Sequence, residues 1–156
     1  QTCIEFSNAF YENLLGYKPE ETSLKQVPKD RWREFAAESN FSASSSGVYL
    51  PRTQTAVIMK GDVLGLFHEY FGHGLYCEHS ISGIELVTLE KKLLEEEKKK
   101  FDGRKFTLSD LNEFREKNQV FRHLKSLREQ NFQQYELFAL GQSTFFQKSS
   151  ILKRGS

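Results

Sequence analysis

Phe67-His68-Glu69-Tyr70-Phe71-Gly72-His73-Gly74-Leu75-Tyr76-Cys77-Glu78-His79 holds three of the chain's four histidines, and its reading decides both fold and chemistry. A histidine followed by glutamate, with a second histidine about one helical turn later, suits a divalent metal with a carboxylate beside it. Peptide-hydrolysing zinc sites are built this way. In their common form the histidines stand four apart, so both imidazoles leave one helix face and converge on the ion. Here they stand five apart. At about 100° per residue, a regular helix would aim the rings of His68 and His73 in different directions. A π-bulge adds one residue to a turn and restores convergence, and Gly72 has no β-carbon to resist it. The spacing therefore predicts a local widening of the helix around Gly72.

Upstream, residues 48 to 59 are rich in β-branched side chains (Val48, Thr53, Thr55, Val57, Ile58) around Pro51, which predicts a strand at a sheet edge. Gly61-Asp62 ends that strand and opens a helix through Val63, Leu66, Phe67 and Tyr70, so the His-Glu pair lies in a helix that follows a strand. Ser80 to Gly83 breaks it. A helix from Ile84 to about Lys100 then carries Leu86, Leu89, Leu93 and Leu94 on one side, and the block Glu95-Glu96-Glu97-Lys98-Lys99-Lys100 reads as its solvated end. Asp102-Gly103 turns the chain, Thr107 with Asp110 forms a capping box, and Val120 to Leu140 repeats Phe121, Leu124, Phe132, Tyr135 and Ala139 at helical spacing. Toward the start, Cys3, Phe6, Phe10 and Leu14 mark a helix over residues 3 to 15. Asp30 can cap a short helix burying Trp32, Phe35 and Ala36, and Ser42 to Gly47 reads as a loop. The fold expected is α+β, mostly helical, with a small β element before the metal-binding helix.

The chain of 156 residues is 38% hydrophobic and 13% aromatic, enough for one domain spanning 1–156 with its own core. A formal charge of +1 supplies no global field for nucleic acid or an anionic membrane surface. No run approaches the roughly 18 apolar residues of a spanning helix, so a soluble protein is expected. Only Cys3 and Cys77 could form a disulfide, which favours a reduced, cytoplasmic setting. The chain begins with Gln1 rather than Met, as a fragment or processed product would.

Three residues compete to be the third metal ligand. Glu136 has Phe132, Ala139 and Leu140 as helical neighbours, so it falls among core-facing positions where a bound cation would satisfy its carboxylate. Glu90 sits among Leu86, Val87, Leu93 and Leu94, and a reversal at Ser80 to Gly83 would bring it level with His73. His79 follows His73 by six residues, as the last ligand does in the metzincin pattern, with Tyr76 in place of the turning glycine. Glu136 is preferred, then Glu90, then His79.

The run His68-Glu69-Tyr70-Phe71-Gly72-His73 resembles the motif of the dipeptidyl peptidase III family of zinc peptidases, which carries the same inserted glycine. It also resembles the His-Glu-x-x-Pro-Gly-His pattern of a bacterial family of metallopeptidase-like proteins. In that family a later Glu-Gly-Trp-Ala-Leu run provides a further glutamate; Glu136-Leu137-Phe138-Ala139-Leu140 is similar, with Leu137 where glycine is expected. The resemblance spans about residues 64 to 79 and 132 to 140, and implies metal chemistry on a core similar to that of the gluzincins.

With Zn2+ held by His68, His73 and Glu136, a fourth position stays open to water, whose pKa the ion would lower. Glu69 does not bind metal in this reading; it takes the water's proton as general base and passes it to the leaving amine. The edge strand could pair with an extended peptide, making a peptide or protein the expected substrate. Tyr70, Tyr76 and Tyr135 are candidate donors to the oxyanion. The rival readings are a non-catalytic helical binding module, with a structural metal or none, and a regulatory fragment of a longer protease.

Overall fold

A computed structural model describes residues 5, 8, 12 and 18–154, with side chains as far as 144. The helix expected over residues 3 to 15, with Cys3, Phe6, Phe10 and Leu14, lies outside the described residues except at positions 5, 8 and 12. The architecture is α+β and mostly helical, with one sheet of three short strands.

The sheet comprises β1 (Ser23–Val27), β2 (Gly47–Leu50) and β3 (Thr55–Met59) in the order β1-β3-β2. The single edge strand expected over residues 48 to 59 is instead a hairpin. Pro51 stands in its turn, where a missing N–H costs nothing, and Gln54 closes the turn with φ 47°. Val48 faces Val57 and Leu50 faces Thr55 across this antiparallel pair. β1, which the sequence does not announce, runs parallel to β3 with Leu24 opposite Ala56 and Val27 opposite Met59. Its polar Ser-Leu-Lys-Gln-Val carries little alternation to read.

Alternation of side chains gives the sheet two buried faces. On one, Val27 and Val57 pack with Trp32 from helix α1 (Trp32–Glu38), beside Phe35 and Phe41. Trp32 Nε1 donates to Ser45 O at 2.7 Å, fixing the loop before β2. Asp30 does not cap α1: it lies inside a 3-10 turn (Lys29–Arg31) that carries no side-chain cap. On the other face, Tyr49, Ala56 and Ile58 meet Leu66, Phe67, Phe71 and Leu75 in the larger core.

Those last residues belong to α2, one continuous helix made of Val63–Gly65, Leu66–Gly74 and Leu75–His79. Asp62 caps it by accepting from Gly65 N at 3.0 Å. At its end Ser80 Oγ donates to Tyr76 O and accepts from Gly83 N, capping α3 (Ile81–Phe101). There is no room for a β-carbon at Gly83, where one would lie 2.2 Å from Tyr76 O. After Gly103, at φ 64°, comes α4 (Leu108–Lys117), opened by the expected capping box: Thr107 N donates to Asp110 Oδ2 and Asp110 N to Thr107 Oγ1. The last helix, α5 (Gln119–Arg154), is longer than the apolar pattern over residues 120 to 140. It packs across α2 and α3 through Leu124, Leu127, Tyr135 and Phe138.

The charge block at the end of α3 is not wholly solvated. Glu97 is buried, taking Arg52 and Arg115 as partners, and Glu96 accepts from Asn118 Nδ2. Burial pushes the Glu97 carboxyl up, but the two guanidiniums together hold it below its ordinary value. Among the described residues no helix is long and apolar enough to cross a membrane.

Candidate metal centre

Nine consecutive residues, Leu66–Gly74, adopt π-helical geometry. The sequence predicts one widened turn; the structure widens two. In a π-helix the hydrogen bonds run between residues five apart, so His68 and His73 come to lie one above the other instead of diverging. Their rings are 4.9 Å apart at 84°.

Gly72 contributes in a way its backbone freedom does not explain. α5 crosses here so closely that a β-carbon on Gly72 would lie 2.7 Å from Ala139 Cα and 2.9 Å from Ala139 Cβ. Gly72 and the fully buried Ala139 are thus the contact point that brings α5 down onto the widened helix. One turn earlier on α5, Glu136 aims its carboxylate at both histidines. Oε1 lies 3.5 Å from His73 Nε2 and Oε2 lies 3.6 Å from His68 Nε2. The expectation that Phe132 and Leu140 surround Glu136 in the core is not met, since they are 61% and 55% exposed. The buried stripe of α5 runs instead through Leu124, Leu127, Tyr135 and Ala139, leaving Glu136 at its border.

The ligand atoms of His68, His73 and Glu136 lie within 4.8 Å of one another. Four ligands at about 2.0–2.1 Å in a tetrahedron are separated by roughly 3.3 Å along each edge. The two Glu136 separations are already close to that value. Two imidazole nitrogens and one carboxylate oxygen form a donor set that zinc accepts. Against this, His73 Nδ1 is buried with no hydrogen-bond partner among the described residues, so the customary acceptor behind a ligating histidine is missing. Aromatic packing holds that ring instead: Tyr135 stacks on His73 with centroids 3.9 Å apart, and Tyr49 lies at 6.1 Å on the sheet side.

The other two ligand candidates are elsewhere. Glu90 is buried, and its carboxylate is taken by Arg52 Nε at 3.0 Å and by Arg128. His79 is exposed at the end of α2 and does not join the cluster. Its neighbour Glu78 accepts from Glu20 N, Glu21 N and Thr22 Oγ1, tying the entry of β1 to α2. That tie has no short-range sequence signal. Tyr70 and Tyr76 are buried packing residues.

Glu69 lies beside the cluster, with Oε2 3.9 Å from His73 Nε2. Burial, then the negative charges of Glu136 and Asp62, push its carboxyl up to about 8. Burial, with His68 adding to it, pushes His73 down to about 3. His73 is therefore neutral at physiological pH, as metal ligation requires. Gly47 gives Glu69 its space, since a β-carbon there would fall 2.9 Å from Glu69 Cγ. Cys77, buried one turn beyond His73, is a free thiol that burial pushes up to about 12, and it is not part of the His68, His73 and Glu136 cluster.

β2 forms the sheet edge on this side, with no further strand beside it among the described residues. Met59 N donates to Ser46 O at 2.9 Å, and hydrogen-bonded pairs alternate along an antiparallel ladder. Val48 and Leu50 therefore turn their peptide groups toward β3, whereas Gly47 and Tyr49 turn theirs toward the open edge. The Ser45 Oγ bond to Gly47 O agrees with this parity.

Comparison of the chain with family models, with curated proteins and with solved structures finds no match in any of the three.

Proposed function

We propose that this chain is a zinc-dependent hydrolase of peptide bonds, with His68, His73 and Glu136 as metal ligands and Glu69 as general base, on a zincin-like core of gluzincin type. The observation that carries the proposal is the π-helical stretch Leu66–Gly74, which converts a five-residue histidine spacing into one converging pair facing Glu136. A π-helix of this length is unfavourable by itself, and such segments concentrate at functional sites. The motif's resemblance to zinc peptidases with the same inserted glycine supports the same reading.

When bound, zinc supplies the Lewis acidity that brings the pKa of a water toward neutrality and polarises a carbonyl. Glu69, held between Gly47 and the histidines, accepts the proton of the attacking water and delivers it to the departing amine. The edge-facing peptide groups of Tyr49 and the Gly47 N–H, the Gly47 carbonyl being taken by Ser45 Oγ, pair with an extended substrate, which sets its scissile bond alongside α2. Partial exposure of His68 (26%) and Glu136 (42%) leaves one side of the cluster to solvent and substrate. That openness favours a catalytic site over the closed sphere of a structural metal.

The test is zinc stoichiometry together with turnover of a mixed peptide library. Glu69→Gln should retain zinc and lose turnover. Zinc retained with no turnover and no inhibitor-accessible site, judged by hydroxamate binding, would return the chain to a non-catalytic module.

A further inference from the structure

Resting on the peptidase reading, we infer that the cavity behind Tyr49 and Tyr135 is a specificity pocket that receives one large apolar side chain of the substrate. The cavity is about 280 Å³ and is walled by Tyr49, Tyr76, Leu86, Leu127, Phe132 and Tyr135. A cavity of about 150 Å³ lined by apolar side chains already admits a benzene ring, so this one holds a phenylalanine or leucine side chain with room for its stem. Two of its walls also border the metal cluster: Tyr135 stacks on His73, and Tyr49 faces the same ring. Cavity and cluster thus lie about one aromatic layer apart.

Strand pairing directs the side chain there. On an added strand, the residue opposite Tyr49 projects its side chain to the sheet face occupied by the Tyr49 ring. That face is the α2 side, where the cavity lies, with Pro51 lining it just past the end of β2. Arg128, the cation among the lining residues, is already paired with Glu90, so its charge is met and a carboxylate side chain gains little. The pocket therefore selects by apolar volume.

The experiment has two arms on the full chain. N-acetyl-phenylalaninamide and N-acetyl-leucinamide are titrated by NMR against the glycine and aspartate equivalents, and a peptide library is digested and mapped. The apolar amides should bind at least about 10-fold more tightly than the glycine one. Ser82→Phe, at the partly exposed mouth, and Leu127→Trp, inside, should each erase that preference, the first without risk to the core. Any cleavage should concentrate beside large apolar residues. Preference among the amides without cleavage supports the pocket and removes the peptidase reading. Equal binding of all four amides, or cleavage indifferent to apolar residues, overturns the pocket whether or not zinc is bound.

Discussion

Replacing Glu69 by Gln should stabilise the metal-free protein in a manner that depends on pH. The Glu69 carboxyl stands at about 8 in the folded chain against 4.5 ordinarily, and its side chain is 13% exposed. Because the folded value is the higher one, the folded state holds the proton more tightly than the unfolded state does. The stability that proton lends is complete below pH 4.5 and is lost as pH rises through about 8. At 1.36 kcal/mol per pH unit, wild type loses roughly 3 kcal/mol by pH 7 and about 5 by pH 9. A domain of this size has only ~5–15 kcal/mol in total. Gln fills the same space and never ionises, so the variant is spared that loss. His73 acts in the opposite sense, since its lowered pKa withdraws stability as pH falls from 6.5 toward 3, but it does so in both proteins and cancels in the difference. Urea unfolding in a chelator, followed by the fluorescence of buried Trp32, should give equal midpoints at pH 4 and a gap that opens through pH 7 to pH 9. A gap that is flat with pH, or a wild type more stable than Glu69→Gln at pH 9, would refute the reasoning.

Gly72→Ala should force α5 away from α2, because the new β-carbon meets Ala139 at 2.7 and 2.9 Å. It should cost about 1–3 kcal/mol of stability and also weaken zinc binding measured by chelator competition; unchanged affinity would count against the Gly72–Ala139 contact as the positioning element. Glu136→Ala should lower zinc affinity by more than the roughly 10- to 100-fold typical of residues behind the ligands. Glu90→Gln should leave zinc affinity as in wild type while costing about 1–3 kcal/mol in unfolding measurements, because the buried carboxylate loses its charge-assisted bonds to the partly exposed Arg52 and the exposed Arg128. Phenanthroline should abolish turnover reversibly, with recovery on adding back one equivalent of zinc.

Much of this was legible in the sequence, for reasons that are local. The Thr107-Asp110 capping box and the π-distortion follow from spacings within a few residues, and both are present; the break expected over Ser80 to Gly83 narrows to Ser80, because residues 81 to 83 form the first turn of α3 behind the Ser80 cap. Glu136 stands beside the two histidines, but not for the reason its helical neighbours suggest: Phe132 and Leu140 obey helical spacing yet stay exposed, since only the crossing of α2 and α5 decides which stripe of α5 is buried. The sequence pattern blurs the hairpin because its turn, Pro51-Arg52-Thr53-Gln54, carries no glycine or asparagine and places Thr53 within one continuous β-rich run. β1 was missed because its stability comes from pairing with β3 and from the Glu78 tie, both of them long-range. Glu90 satisfies the same sequence criterion as Glu136. Its neutralisation by Arg52, 38 positions away, could not be read from either helix alone.

The most direct test of convergence on one ion is the zinc-edge X-ray absorption spectrum of the protein loaded with one equivalent of metal. The account predicts two imidazole nitrogens and oxygen ligands at about 2.0–2.2 Å, with no sulfur. Failure to retain zinc after reconstitution, or a spectrum with one imidazole or with the Cys77 sulfur in it, would contradict the account.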